Sequence, residues 1–382
     1  MNTKDILARL IAFQTVSRDP NRDLIDWVAA LLADHGVSTE IIPDASGKKA
    51  NLYATVGPKG TPGVMLSGHT DVVPVDGQDW TKPPFELTEA DGRLYGRGTA
   101  DMKGFCAAAI AAILDASKRD LVTPVHLALS YDEEIGCMGV RSLIDMLDTA
   151  PVRPRMCIVG EPTGMAVASG HKGKVALRAT CRGQEGHSAL APFAMNALHL
   201  AVDFANAVRA RQLEIATYGR KDGDYDVPYT TLHIGKIAGG EALNIVPNIA
   251  TVDFEIRNLA EDAPAEIIAG LREDAAIIVA SADHPEAAIE VSESWSYPGL
   301  VTPLEAEVMS FVKSLTGANG SIKVAFGTEG GLFNARLGIP TVICGPGSMM
   351  QGHKPDEFVA TTQLGSCDVM LAALINRLET GI

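Results

Sequence analysis

The sequence predicts an α/β architecture, a mixed sheet with helices on both faces, interrupted by an inserted α+β domain. Three observations carry that prediction. Short apolar runs alternate with helical patterns in the first third, long strand–helix–strand units replace them in the middle, and the alternation resumes towards the C-terminus. Residues 4–14 place Ile6, Leu7, Leu10 and Ile11 at helical spacing behind Thr3 as N-cap. A second helix is expected from Asn21 to His35, stopped by Gly36, with Leu24, Trp27, Val28, Leu31 and Leu32 on one face. Residues 51–56, 63–68, 124–130 and 156–159 read as strands, the last three near-continuous in apolar residues as strands covered on both faces should be. Helices fit between them at 102–117 and 138–148.

From Lys174 to Ala287 the pattern changes to strands at 174–181, 229–237 and 249–257 with helices at 191–211 and 263–280, a ferredoxin-like α+β arrangement with a loop from Tyr218 to Asp226. A helix at 302–315, a strand at 340–344 and a final helix at 361–378 complete the chain. The expected organisation is one domain of residues 1–173 and 288–382 interrupted by a second of residues 174–287.

A chain of 382 residues that is 46% hydrophobic and 21% charged can bury such cores and is not a disordered one. The longest apolar stretch, Phe105 to Leu114, falls far short of the roughly 20 residues that span a bilayer. The opening MNTKDILARL has no basic segment followed by an apolar run. The 32 Lys+Arg against 47 Asp+Glu give −15 with no basic block, which argues against nucleic-acid and membrane-surface partners. Six scattered cysteines without a C-x-x-C pair read as buried thiols in a reducing cytosol, so a soluble cytoplasmic protein is expected.

The chemistry lies at strand ends. VMLSG runs into His69-Thr70-Asp71, HLALSY into Asp132-Glu133-Glu134, MCIVG into Glu161-Pro162, and TVICG leads through GPGSMMQG to His353. GRGTADMKG sets Asp101 at a helix start. In open α/β sheets ligand sites gather beyond the carboxyl ends of the strands, so these residues can converge. His69, His353, Asp101, Glu134 and Glu161 suit a shell for two divalent ions sharing one carboxylate. Zinc accepts this nitrogen and oxygen mixture, and cobalt or manganese fit the same donors. Glu133 is placed to act as general base, and Asp71 to orient His69 through its second nitrogen. A lone strand-end histidine or Glu-Glu pair is ordinarily solvated surface; five ligand-type residues at successive strand ends argue for a metal site. Neither GRGTADMKG nor GPGSMMQG completes a phosphate-binding glycine motif. His187 in GQEGHSA is by default structural, and Ser188 beside it lacks a nucleophile elbow.

The segments LSGHTDVVP, GRGTADMKG, SYDEEIGCMG, GEPT, GHKG and EGHSA resemble, in order and spacing, the dimetal amidohydrolase/metallopeptidase family of acetylornithine deacetylase, succinyl-diaminopimelate desuccinylase, aminoacylases and carboxypeptidase G-type enzymes. The resemblance covers essentially the whole chain. It implies a phosphorylase/hydrolase-like catalytic domain with two zinc ions and an inserted lid domain that also makes the homodimer. Asp101 then resembles the bridging ligand, His69 and Glu161 the ligands of one ion, Glu134 and His353 those of the other, and Glu133 the base. The matching histidine of the family, His187 here, reaches the partner subunit's site and stabilises the oxyanion. Asn244 and Arg257 resemble residues that hold a substrate carboxylate. A guanidinium suits that role, and a surface arginine is the equal alternative. Gly327 and Thr328 resemble a backbone contact to substrate.

The C-terminal GTEGGLF and CGPGSMMQGHKPDEFV resemble the deacetylase branch, with Gly352 where alanine is more usual. The resemblance therefore implies hydrolysis of N-acetyl-L-ornithine, with Glu133 deprotonating the water held between the ions and Glu329 a candidate acid for the substrate's side-chain amine. The alternatives are another N-acyl amino acid deacylase or dipeptidase on the same scaffold, or a catalytically silent metal-dependent binding protein.

Overall fold

Strand ends can gather into one site only if the strands run the same way, and the central sheet meets that condition. The computed structural model describes residues 1–382, which separate into two compact units, one of residues 1–170, 300–324 and 328–382 and one of 171–299 and 325–327. In the first unit a nine-stranded sheet runs Thr39–Pro43, Ala50–Val56, Val125–Ser130, Val64–His69, Met156–Pro162, Thr341–Gly345, Ala168–His171, Leu300–Val301, with Ile322–Val324 paired to Ala168–His171. Its four middle strands are mutually parallel, and antiparallel strands flank them.

Those middle strands are buried along their whole length. Their side chains alternate between the two faces of the sheet. Val64, Leu66, Val125, Leu127, Leu129, Met156 and Ile158 join a cluster with helices Thr3–Ala12, Arg22–Ala33, Lys103–Ala116, Glu307–Thr316 and Thr361–Thr380. Asn51, on the other face, donates to Gly139 O at 2.8 Å and Ser142 Oγ at 2.9 Å and so holds the helix Val140–Thr149 there. Helix Lys103–Ala116 is buried nearly all round, including Lys103, whose Nζ donates to Leu10 O and Phe13 O at 3.0 and 2.8 Å. It lies so close to the sheet that a Cβ on Gly160 would fall 1.8 Å from the Phe105 ring. No helix is long and apolar enough to cross a membrane, and all six cysteines are free and buried.

The second unit is a four-stranded antiparallel sheet in the order Thr231–Gly239, Ile249–Arg257, Lys174–Arg182, Ala288–Tyr297, covered on one face by helices Ala197–Tyr218 and Pro264–Ala282. This is the β-α-β-β-α-β order of a ferredoxin-like unit. Burial alternates along Lys174–Arg182 and Ile249–Arg257, and the Phe204 and Phe254 rings meet at 5.7 Å in the core.

Several expectations are corrected. The N-cap of the first helix is Asn2, in a capping box with Asp5, because the Thr3 hydroxyl donates instead to Asp368 at 2.6 Å. The helix expected at 191–211 is a short 3₁₀ segment Ser188–Phe193 followed, after Asn196 as cap, by Ala197–Tyr218; Pro192 interrupts the pattern. The helix expected from 302 begins at Glu307. The domain boundary at 287 precedes a strand, Ala288–Tyr297, that completes the smaller sheet, so the second unit runs to Gly299. A bulge between Glu293 and Trp295 breaks that strand's alternation and hides it from a period-two reading.

Candidate metal centre

Each middle strand delivers a donor where it ends. His69 closes Val64–His69, Glu161 is the penultimate residue of Met156–Pro162, and Glu133 and Glu134 follow Val125–Ser130. His353 lies on the loop after Thr341–Gly345, in left-handed backbone (φ 63°), and Asp101 precedes the helix Lys103–Ala116. The structure brings all of them together. Asp101 faces both histidines, Oδ1 lying 3.1 Å from His69 Nε2 and Oδ2 3.1 Å from His353 Nε2. His69 Nε2 is also 3.7 Å from Glu161 Oε1, and His353 Nε2 is 3.1 Å from Glu134 Oε2. One carboxylate thus stands between two His–Glu pairs. Glu133 joins the same cluster, with a carboxylate oxygen within 4.8 Å of donors on His69 and Glu161.

The supporting bonds explain how the loop residues are aimed. His69 Nδ1 is 2.9 Å from the backbone carbonyl of Asp71, which puts its proton there and leaves Nε2 facing the cluster. The Asp71 carboxylate lies 3.5 Å from the same nitrogen. Its firmer bonds are to Ser17 Oγ at 2.7 Å and to the amides of Glu133 and Glu134 at 3.1 and 3.3 Å. Asp71 therefore orients His69 with its backbone and fixes the Glu133–Glu134 turn with its side chain. Asp132 is drawn away from the cluster by Lys49, at 2.5 Å.

So many acids in so little space distort one another's ionisation. Burial, then the neighbouring Asp101 charge, raises Glu134 to about 7 and Glu161 well above the usual carboxylate range. Burial and the charges of Glu134, Glu329 and Asp101 raise Glu133 likewise. Hydrogen bonds donated to Asp101 and Glu134 lift His353 to about 10. Against the opposing pull of burial, the His353 and His69 bonds keep Asp101 below its usual range. The three glutamates are raised by burial first and by mutual repulsion second, so their charged forms lack compensation. Glu134 Oε1 is also buried without a hydrogen-bond partner. Two imidazoles and four carboxylates that lack positive charge, one with a free buried oxygen, fit a pair of divalent cations.

The remaining candidates divide between the units. Glu329 is buried, 1% exposed, with Oε2 accepting from Ser67 at 3.1 Å and Oε1 from Ser130. Each of its oxygens thus accepts a hydroxyl from a strand that ends at the cluster. Thr328 is buried and its hydroxyl accepts from Gly330 N at 3.0 Å, just before helix Gly330–Leu337. Gly327 packs against Tyr297 so closely that a Cβ would lie 2.1 Å from the ring. In the second unit, His187 and Asn244 are exposed neighbours on a two-stranded ribbon, Gly186–His187 with Ile245–Val246, where Ser188 N donates to Asn244 O at 3.0 Å. His187 Nδ1 accepts from Ala189 N at 3.1 Å, so its proton sits on the outward Nε2. Arg257 ends Ile249–Arg257 with Nε bonded to Glu255 at 2.9 Å. Sequence reasoning gave no place to Glu357, Arg97 or Gln78, which lie behind Asp101 and His353; nothing in HKPDEF beyond an acidic residue near a histidine signals them.

The sequence model described as peptidase family M20/M25/M40 matches residues 65–377. Among solved structures, a family M20 metallo-carboxypeptidase from Sulfolobus solfataricus superposes with a TM-score of 0.81 at 18% identity, covering 100% of both chains. A tripeptidase from Staphylococcus aureus gives 0.75 at 19% identity, covering 100% of this chain and 98% of that one. A dinuclear metal-binding M20 peptidase from Bacillus subtilis gives 0.71 at 14%, again covering 100% and 98%.

Proposed function

As a member of peptidase family M20/M25/M40 this chain is a metal-dependent hydrolase, and we propose that it cleaves the amide bond of N-acyl amino acids, with N-acetyl-L-ornithine as the substrate its C-terminal motif favours. The observation that carries the amidohydrolase reading is Asp101 set between the His69–Glu161 and His353–Glu134 pairs. His69, Asp101, Glu134, Glu161 and His353 would hold two divalent ions, of which zinc is the first candidate and cobalt or manganese fit the same donors. Such ions would polarise a carbonyl and acidify water. Glu133 takes the proton of the attacking water. As the C–N bond breaks it delivers that proton to the departing nitrogen, giving a carboxylic acid and a free amine.

The dipeptidase reading stands second and rests on Glu329. It is 1% exposed and its oxygens accept from Ser67 and Ser130, which favours a role in holding those strands over contact with a cationic side chain. A parallel assay of the zinc- or cobalt-loaded protein on acetyl-ornithine, succinyl-diaminopimelate, neutral acetyl-amino acids and dipeptides decides between them. Preference for acetyl-ornithine supports the first reading, preference for dipeptides the second, and no chelator-sensitive hydrolysis of any member removes both.

The second unit supports assembly as a homodimer. Leu190, Phe193 and Leu243 are exposed beside His187 and Asn244, Phe193 at 80% and Leu243 completely, and such apolar clusters mark interaction surfaces. A second copy covering them gives His187 a partner's site to serve, with its outward Nε2–H as oxyanion donor. Six buried free thiols accord with a cytoplasmic location.

A further inference from the structure

The loops that carry Asp101 and His353 are joined behind the cluster by a chain of polar groups, buried at Glu357 and Arg97 and partly open to solvent at Gln78. The Glu357 side chain is fully enclosed, and its Oε1 accepts from the backbone amides of Gly98, Ala100 and Asp101 at 3.1, 2.9 and 3.1 Å. Its Oε2 accepts from Arg97 Nη1 at 2.6 Å, and that guanidinium is equally enclosed. Arg97 Nη2 donates to Gln78 Oε1 at 2.6 Å, and Gln78 Nε2 donates to the backbone carbonyl of His353 at 2.9 Å. Trp80 steadies the middle of the chain, its Nε1 donating to Gln78 at 3.0 Å and its ring lying 5.0 Å from the guanidinium. One end of this chain grips the backbone from which Asp101 projects, and the other grips the backbone at His353.

The two ends need such a brace unequally. His69 and Glu161 lie within strands whose ladders fix them. His353 lies on a loop, its side chain 48% exposed, with a backbone conformation uncommon for a residue with a Cβ. Its Nε2 nevertheless stands 3.1 Å from Asp101 Oδ2. A buried carboxylate compensated by a guanidinium and three amides is rigid, because breaking any one contact leaves a desolvated polar group unpaired.

We infer that Glu357, acting through Arg97 and Gln78, is a positioning residue that holds His353 against Asp101 and so sets the cation site they share with Glu134. The inference rests on the dimetal reading above. Its test uses the full chain stripped of metal. Wild type, Glu357→Gln and Gln78→Ala are titrated with zinc by calorimetry and with cobalt by visible absorption, and the metal-free melting midpoint of each is recorded.

Wild type is expected to take two ions. Both variants are expected to keep one site while the other weakens about 10–100-fold, with a changed cobalt spectrum for that ion. Gln78→Ala releases the His353 carbonyl and one Arg97 nitrogen. The Glu357–Arg97 pair and the Arg97 Nη1 bond to Lys354 O at 3.3 Å remain, so this variant tests the Gln78 link even where Glu357→Gln does not fold. Two sites of undiminished affinity in Gln78→Ala, or equal losses at both, would overturn the inference. A wild type that binds fewer than two ions overturns the dimetal reading itself, a result recognisable before either variant is made.

Discussion

His69 and His187 are both histidines expected to serve the same reaction, and the chain treats them in opposite ways. His69 ends a fully buried strand, is 1% exposed, and has one ring nitrogen tied to its own loop while the other faces Asp101 and Glu161. His187 sits exposed on a strand of two residues, beside a 3₁₀ segment with no buried residue. The first environment is complete within its unit because four parallel strands end together. The second leaves its histidine in solvent. A group that is already desolvated can do electrostatic work as it stands, whereas an exposed one must first be covered.

The sharpest way to break that comparison is to remove function from the buried rim without removing its donors. Glu133→Gln leaves His69, Asp101, Glu134, Glu161 and His353 in place. It is expected to bind both ions, measured by elemental analysis, yet to lose about 10²–10⁴-fold in kcat. Near-normal turnover in that variant would end its assignment as the base.

The exposed ribbon is tested by His187→Ala, expected to keep its full metal content and lose about 10²–10³-fold in kcat, the usual scale for one oxyanion donor. Mixing it with Glu133→Gln distinguishes a partner-subunit role from a local one. In a mixed dimer one site unites an intact Glu133 with the partner's intact histidine, so random exchange should restore about one quarter of wild-type activity. A mixture as inactive as its components would confine His187 to its own subunit. A smaller effect is expected from Phe193→Asp, which places a charge on the apolar cluster. It should shift a light-scattering mass towards the monomer at low concentration while leaving the metal-binding isotherm unchanged. An unchanged mass would remove Phe193 from the interface.

The two regions also differ in how much of them could be read beforehand. The rim was legible because each donor follows an apolar run of strand length, and parallel strands put their ends on one side. What lies behind the rim was not. Glu357 reaches an amide 256 residues earlier in the chain, and no local pattern reports a loop folding back that far. The partners of Glu329 were equally out of reach, because Ser67 and Ser130, on two other strands, lie 262 and 199 residues away in the chain. The fold shows the same division. Helices and strands with clean periodicity were found nearly in place, whereas Ala288–Tyr297 was hidden by its bulge and Gly330–Leu337 by opening on two glycines, weak helix formers.

The smallest expected effect concerns the stability of the units rather than their chemistry. Each buries one histidine that is neutral for lack of solvent. His126 lies in the central sheet, bonded to Thr55 Oγ1 at 2.9 Å and stacked on Tyr53 at 5.5 Å, and His171 opens the second unit; burial lowers both to about 4. An unfolded imidazole takes its proton near 6.5. Between those values the unfolded chain binds more protons, so each group's contribution is complete above pH 6.5 and lost as pH falls towards 4. His126→Gln should therefore cost melting temperature at pH 7.5 and progressively less at pH 5.5 and 4.5, with His171→Gln behaving alike. Comparing each variant with wild type at the same pH cancels the titration of the acidic cluster, which is common to both. If the units melt separately, each variant should move only its own transition. A gap between His126→Gln and wild type that stays constant from pH 7.5 to 4.5 would show that this imidazole is solvated enough to accept its proton in the folded protein.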